Sequence, residues 1–296
     1  MNPEVFCDEA MTLGESPVWC DQAAALYCVD IRAPALYRLA PGGPSARWAL
    51  PELCGGVALG PHPCVVLALT SGLYLFDTQT AELSRLAALD PPERGNRLND
   101  IKVDRRGRIW CGTMRDFGAA TTGALYRMGP DLLPEAVLVN ITIPNALCWS
   151  PDDATFYFAD SAEGRLRAYP FDLESGTLGS PRVLIDADAV AGKPDGATVD
   201  ADGCIWNARF GAGQVVRVAP DGRIDRVIHL PVAQVTSCGF GGPDRRTLFV
   251  TTARQRLTAP EFAAQPLAGQ VFAVQTVVAG LPEPRFLPNV PANRLP

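Results

Sequence analysis

Asp195 lies in the stretch GKPDGATVDADGCIWNARFG, residues 192–211, where two turn signals, Pro-Asp-Gly and Asp-Ala-Asp-Gly, stand only three residues apart. Asp-Gly pairs normally mark turns, because Gly takes φ > 0 freely and Asp bonds its own backbone. One turn does not need both, so Asp195 is either surplus punctuation or chemistry. It precedes Asp200, the first residue of the polar turn, by five positions. The same offset before the other polar turns of the chain reaches Glu15, Gly55, Asn99, Asn145 and Ser237. Four of these six are carboxylates or carboxamides. Two carboxylates and two amide oxygens, with no His or Cys, make a hard-oxygen donor set. Such a set suits Ca2+, Mg2+ or Mn2+, and its geometry also admits Zn2+ or Fe2+. The competing reading is that polar residues at a wet channel mouth merely solvate it.

The neighbours add to this. In NRLND, residues 96–100, Arg97 stands two positions before Asn99 and shares its face on a strand. The segment 91–95 is expected to set Arg97 in a loop above the mouth; otherwise it is a surface arginine. Asp100 points to the opposite side, or supplies a supporting carboxylate. The chain has no G-x-S-x-G elbow, no H-E-x-x-H and no G-x-G-x-x-G. Its two histidines, in GPHP and VIHLP, fall elsewhere in the repeat. A Ser-His-Asp or histidine-zinc hydrolase is therefore disfavoured.

The elements that must position these residues are short strands. Twenty-seven Gly and twenty-seven Pro punctuate the chain, and few windows hold a helical apolar period. VDRRGRIWCGT at 103 matches VDADGCIWNAR at 199, while SPDDATFYFADS at 150 and GPDRRTLFVTT at 242 have the same form. WCDQAAALYCVDI and LGPHPCVVLALTSG are looser copies. Each unit reads strand, polar turn, strand, then a third strand such as GALYRM or GQVVRV. Six units of about 40–50 residues, the size of a four-stranded propeller blade, nearly fill the chain. This predicts an all-β, single-domain six-bladed β-propeller over residues 1–296, with EVFCDEA completing the last blade and closing the ring. A β-sandwich or open β-array would not require turn chemistry repeated at this period. In a closed propeller, Glu15, Asn99, Asn145 and Asp195 open the innermost strands and converge at one mouth of the central channel.

Composition bounds the partners. The chain has 296 residues, 47% hydrophobic and 20% charged, with a net charge of −6. No basic block supports nucleic-acid binding, and no run approaches the length of a membrane span. The N-terminus lacks the basic and apolar regions of a signal peptide. Nine scattered cysteines without a C-x-x-C pair read as buried reduced thiols, hence a cytoplasmic protein. Oligomeric state is left open, with a monomer the leading expectation.

LGESPVW, NRLNDIKVDRRGRIWCGTM, IPNALCWSPDDATFYFADS, KPDGATVDADGCIWNARF and FGGPDRRTLFVTTAR, in order along nearly the whole chain, resemble the gluconolactonase and senescence marker protein 30 (regucalcin) family. The resemblance implies a six-bladed propeller with one divalent cation (Ca2+, Zn2+, Mn2+, Mg2+ or Fe2+) held by Glu15, Asn145 and Asp195. It implies that Arg97 and Asn99 contact a sugar lactone, the small-molecule partner. The chain departs from some relatives after GTM, where RDFGAATTG replaces acidic residues; the substrate-contact position falls near Phe117, with Arg115 and Asp116 beside it. The expected reaction is hydrolysis of an aldonolactone to the aldonic acid. Asp195 is the expected general base and Asp100 the reserve. The alternatives are a metal-dependent aryl-esterase or organophosphatase on the same scaffold, and a non-catalytic metal-binding propeller.

Overall fold

The computed structural model describes residues 1–43, 45–90, 95–118 and 120–289. Among these the strands form six antiparallel sheets of the predicted kind. Five are consecutive in sequence, running strand by strand outward from Gly14–Cys20, Cys54–Leu59, Asn96–Val103, Pro144–Trp149 and Lys193–Val199. The sixth holds Val235–Gly241, Thr247–Thr252 and Val271–Gln275, and takes Glu4–Cys7 as its fourth strand. That last pairing, with Val5 opposite Phe272, joins the two ends of the chain and closes the ring.

The ring follows from where the apolar residues fall. Inner and middle strands are buried on both faces, whereas outermost strands such as Ala46–Ala49 and Leu83–Ala87 are partly exposed. A sheet buried on both faces needs a neighbour on each side. Six apolar clusters satisfy that need, one between every adjacent pair of blades, including the closing pair of blades six and one. Trp110, for example, packs against Phe156 and Phe171 of the next blade.

Two of the repeated turns are built on one device. Asp104 Oδ1 accepts from the backbone N–H groups of Arg106 and Arg108, and its Oδ2 from Trp110 Nε1 at 2.9 Å. Asp200 does the same for Asp202, Cys204 and Trp206, with Trp206 Nε1 at 2.8 Å. Asp200 is therefore the punctuation. Pro194-Asp195-Gly196 is no turn at all; it lies inside the strand Lys193–Val199. Gly196 is there for close approach, since a Cβ on it would stand 2.0 Å from Ser237 Oγ of the next blade.

At the opposite end of the inner strands, residues 280–286 cross the channel. Glu283 pairs with Lys102 at 3.3 Å, Arg285 donates to the Gly60 carbonyl at 2.7 Å, and Phe286 is fully buried. All nine cysteines are unbonded thiols, and all but Cys7 are buried. No described helix is long and apolar enough to cross a membrane.

Candidate functional site

Each inner strand carries a register shift at or beside the repeated position: Glu15/Val18, Cys54/Val57, Leu98/Ile101, Asn145/Cys148, Pro194/Ala197 and Val235/Ser237. A bulge bends the strand and re-aims the side chain beside it. Two of these bulges place non-glycine residues in the left-handed region, Ser16 at φ 56° and Ala146 at φ 61°. Such backbone is costly and persists where its surroundings hold it. The outcome is that Glu15 and Asn145 face the axis.

Glu15, Arg97, Asn99, Asn145, Asp195 and Phe117 line one cavity of about 350 Å3 at this mouth. Gly55 and Ser237, which share the phase, do not line it; a Cβ at Gly55 would meet the Leu98 carbonyl at 2.2 Å, so that glycine serves packing. Asp100 is also absent from the lining. Its carboxylate lies below the floor and accepts from the Leu147 N–H at 3.3 Å. The histidines lie apart, His229 at the end of an outermost strand and His62 in a loop.

A chain of hydrogen bonds crosses the floor. Arg97 donates to Asn99 Oδ1 at 2.8 Å, and Asn99 Nδ2 to Asn145 Oδ1 at 2.9 Å. Asn145 Nδ2 donates to Ser161 Oγ at 2.8 Å, which in turn donates to the Pro194 carbonyl. Arg97 is a strand residue, opposite Met114 and only 5% exposed, rather than part of a loop; residues 91–94, expected to form that loop, lie outside the described residues. Its Nε is anchored on Asp116 at 2.6 Å, and Asp116 is held from the other side by Arg32 at 2.8 Å. Burial pushes the Asp116 carboxyl up, but the hydrogen bonds from Arg32 and Arg97 outweigh it and keep the group below its ordinary value. Burial, helped by the Arg32 charge, lowers Arg97 against the opposing pull of Asp116 and Glu15.

Glu15 and Asp195 stand apart from this network. Neither carboxylate receives a side-chain donor from a described residue. Burial, reinforced by the charges of Asp195 and Asp100, drives the Glu15 carboxyl well above its ordinary range. Burial and then the Asp100 charge do the same to Asp195. Asp100 itself is pushed up to about 6, chiefly by burial, with Lys102 opposing. Buried like charges that share a site resist joint ionisation unless a cation joins them. Among the described residues no group of three or more His, Cys, Asp or Glu is placed to hold a metal ion by itself. A cation here would need an amide ligand beside Glu15 and Asp195. Asn145 Oδ1 spends one lone pair on Asn99 and has another. The donor set therefore fits a hard divalent ion.

Several residues of the site were not marked by the repeat. Asp116 and Arg32 brace Arg97, and Ser161 braces Asn145. Asn207 Nδ2 donates to the Asp195 carbonyl at 2.9 Å. Arg209, fully buried, donates to Asn207 Oδ1 and to the carbonyls of Val190, Ala191 and Gly192. Their signal was present in IWNARF: polar residues two apart in a buried middle strand must find internal partners. Phe117 is 63% exposed at the rim, with the Arg32 and Arg256 guanidinium groups 4.9 and 5.7 Å from its ring.

Comparison with known proteins agrees with this architecture. A 6-deoxy-6-sulfogluconolactonase of Pseudomonas putida is 37% identical over 290 residues, covering 97% of this chain and 99% of that one. An L-arabinolactonase of Azospirillum brasilense is 37% identical over 289 residues, covering 95% and 94%. The crystal structure of a calcium-binding protein, regucalcin, from Agrobacterium tumefaciens superposes with a TM-score of 0.92 at 33% identity, covering 95% of this chain and 96% of that one. Residues 13–254, which carry every inner strand and the whole floor of the cavity, match the model of the SMP-30/gluconolactonase/LRE-like region, and the chain belongs to that family.

Proposed function

We propose that the chain is a single propeller domain that hydrolyses a sugar lactone to its aldonic acid in this cavity, with a divalent cation bound by Glu15, Asn145 and Asp195. The observation that carries the reading is the pair of buried carboxylates, without side-chain donors, on the floor of a cavity beside the Arg97–Asn99–Asn145–Ser161 chain. Relatives named for sugar lactones, at 37% identity over nearly the full length, support the substrate class. Nine unbonded thiols suit a reducing compartment, and we place the protein in the cytoplasm.

When bound, the cation supplies Lewis-acid polarisation of the carbonyl and stabilises the oxyanion. The protein's own residues do the rest. Arg97 spends Nε and Nη1 on Asp116, Leu98 and Asn99, which leaves Nη2 for a ring oxygen or hydroxyl. Asn99, fixed from both sides, sets the position of that contact. Asp195 lines the cavity and has a free lone pair, so it takes the proton of the attacking water and returns it to the departing ring oxygen. Asp100, below the floor, does not reach the water; its charge raises the affinity of Asp195 for a proton. The polar floor suits a polyhydroxylated ligand held in one orientation.

The test is pH-stat hydrolysis of pentono- and hexonolactones by the chelated protein, then after single divalent ions are restored. Activity restored by an ion supports the reading. No turnover of any lactone with any ion overturns it.

A further inference from the structure

The charges of the cavity are segregated. Its lining holds four cationic side chains, Arg32, Arg97, Lys193 and Arg256, and three carboxylates, Glu15, Asp116 and Asp195. Asp116 is consumed between Arg32 and Arg97. Glu15 and Asp195 lie on the floor. Lys193 and Arg256 are exposed at the rim, and neither makes an ion pair or side-chain hydrogen bond with a described residue. Arg256 has left-handed backbone, φ 59°, which is uncommon for a long side chain. Its guanidinium and that of Arg32 both reach the Phe117 ring.

We infer that this rim is a subsite for an anionic substituent on the lactone, remote from its carbonyl. The inference rests on the lactonase reading above and deepens it. Lys193 precedes Asp195 by two residues, just before the bulge at Pro194/Ala197, and both side chains line the same cavity. A lactone with its carbonyl at the floor carboxylates extends its far carbon toward Lys193. A carboxylate, sulfonate or phosphate there would gain a charge-assisted contact with these exposed cations that a neutral hydroxyl does not. Once a divalent ion balances Glu15 and Asp195, the rest of the cavity is net positive, which draws anions toward the mouth. The segment before Lys193 is held in place, since buried Arg209 donates to the carbonyls of residues 190–192.

The experiment compares kcat/KM on D-glucono-1,5-lactone with that on D-glucaro-1,4-lactone, 6-phospho-D-glucono-1,5-lactone and a 6-sulfo analogue, using the full chain with its restored ion. The readout is the anionic-to-neutral ratio within one preparation, so any loss of folded protein cancels. At least one anionic lactone is expected to exceed the neutral one tenfold, and the best of the three names the anion. Lys193→Ala and Arg256→Ala each lower that ratio about tenfold, Lys193→Glu lowers it further, and added salt erodes it. Turnover of the neutral lactone with no anionic preference, or a ratio unmoved by all three variants, overturns the subsite and leaves the lactonase reading standing. Absence of turnover on every lactone overturns both.

Discussion

Asp100 offers the most direct test of the electrostatics beneath the cavity. The residue is buried, and burial is the main cause that pushes its carboxyl up to about 6. An unfolded aspartate titrates near 3.9, so the native state binds the proton more tightly by about 2 units. The stabilisation from that proton is fully present below about pH 4 and is lost as pH rises through about 6. At 1.36 kcal/mol per unit the loss amounts to about 3 kcal/mol. Asp100→Asn keeps the shape and the acceptor for the Leu147 N–H, and never ionises. In the chelated protein the variant should match wild type at pH 4 and exceed it by about 3 kcal/mol at pH 8. For a chain of this length the unfolding entropy converts that to about 5 °C in Tm. Loss of the charge also relieves Glu15 and Asp195, which adds in the same direction. Thermal melts of both proteins across pH 4–8 in chelator provide the assay. A Tm difference independent of pH, or a variant less stable than wild type at pH 8, would refute the reasoning.

Further outcomes follow from the same geometry. Asp195→Ala should abolish turnover and weaken divalent-ion binding by calorimetry; a fully active variant removes Asp195 as the base. Arg97→Ala should chiefly raise KM, as lost uniform binding does, and Arg97→Lys should not restore it, because the bonds to Asp116 and Asn99 need the guanidinium fork. Calcium at about 100 times its Kd should raise the melting temperature of chelated protein by roughly 4 °C, from about 2.7 kcal/mol of linkage. Asp200→Ala, which strands the Trp206 indole and two backbone donors, should cost about 2–4 kcal/mol in denaturant melts and leave KM unchanged.

The contrast between Asp195 and Asp200 shows how much could be read without coordinates. The turn period alone predicts six blades, the closing N-terminal strand and the convergence of Glu15, Asn99, Asn145 and Asp195, because equivalent residues of a closed ring meet at the axis. Phase could not say that Gly55 serves packing, or that Pro194-Asp195-Gly196 runs on as strand. Those outcomes depend on how closely the adjacent blade approaches. Nor could phase assign Arg97, which reads as a loop residue until Asp116 and Arg32, distant in the chain, are seen to anchor it. Strand alternation, by contrast, did place Asp100 on the side opposite Asn99, where it is absent from the cavity lining. Local sequence thus determined the repeat and the atoms that reach the axis. The packing of blades from opposite ends of the chain decided which charges are paired, which are buried without a partner, and which stand free at the rim.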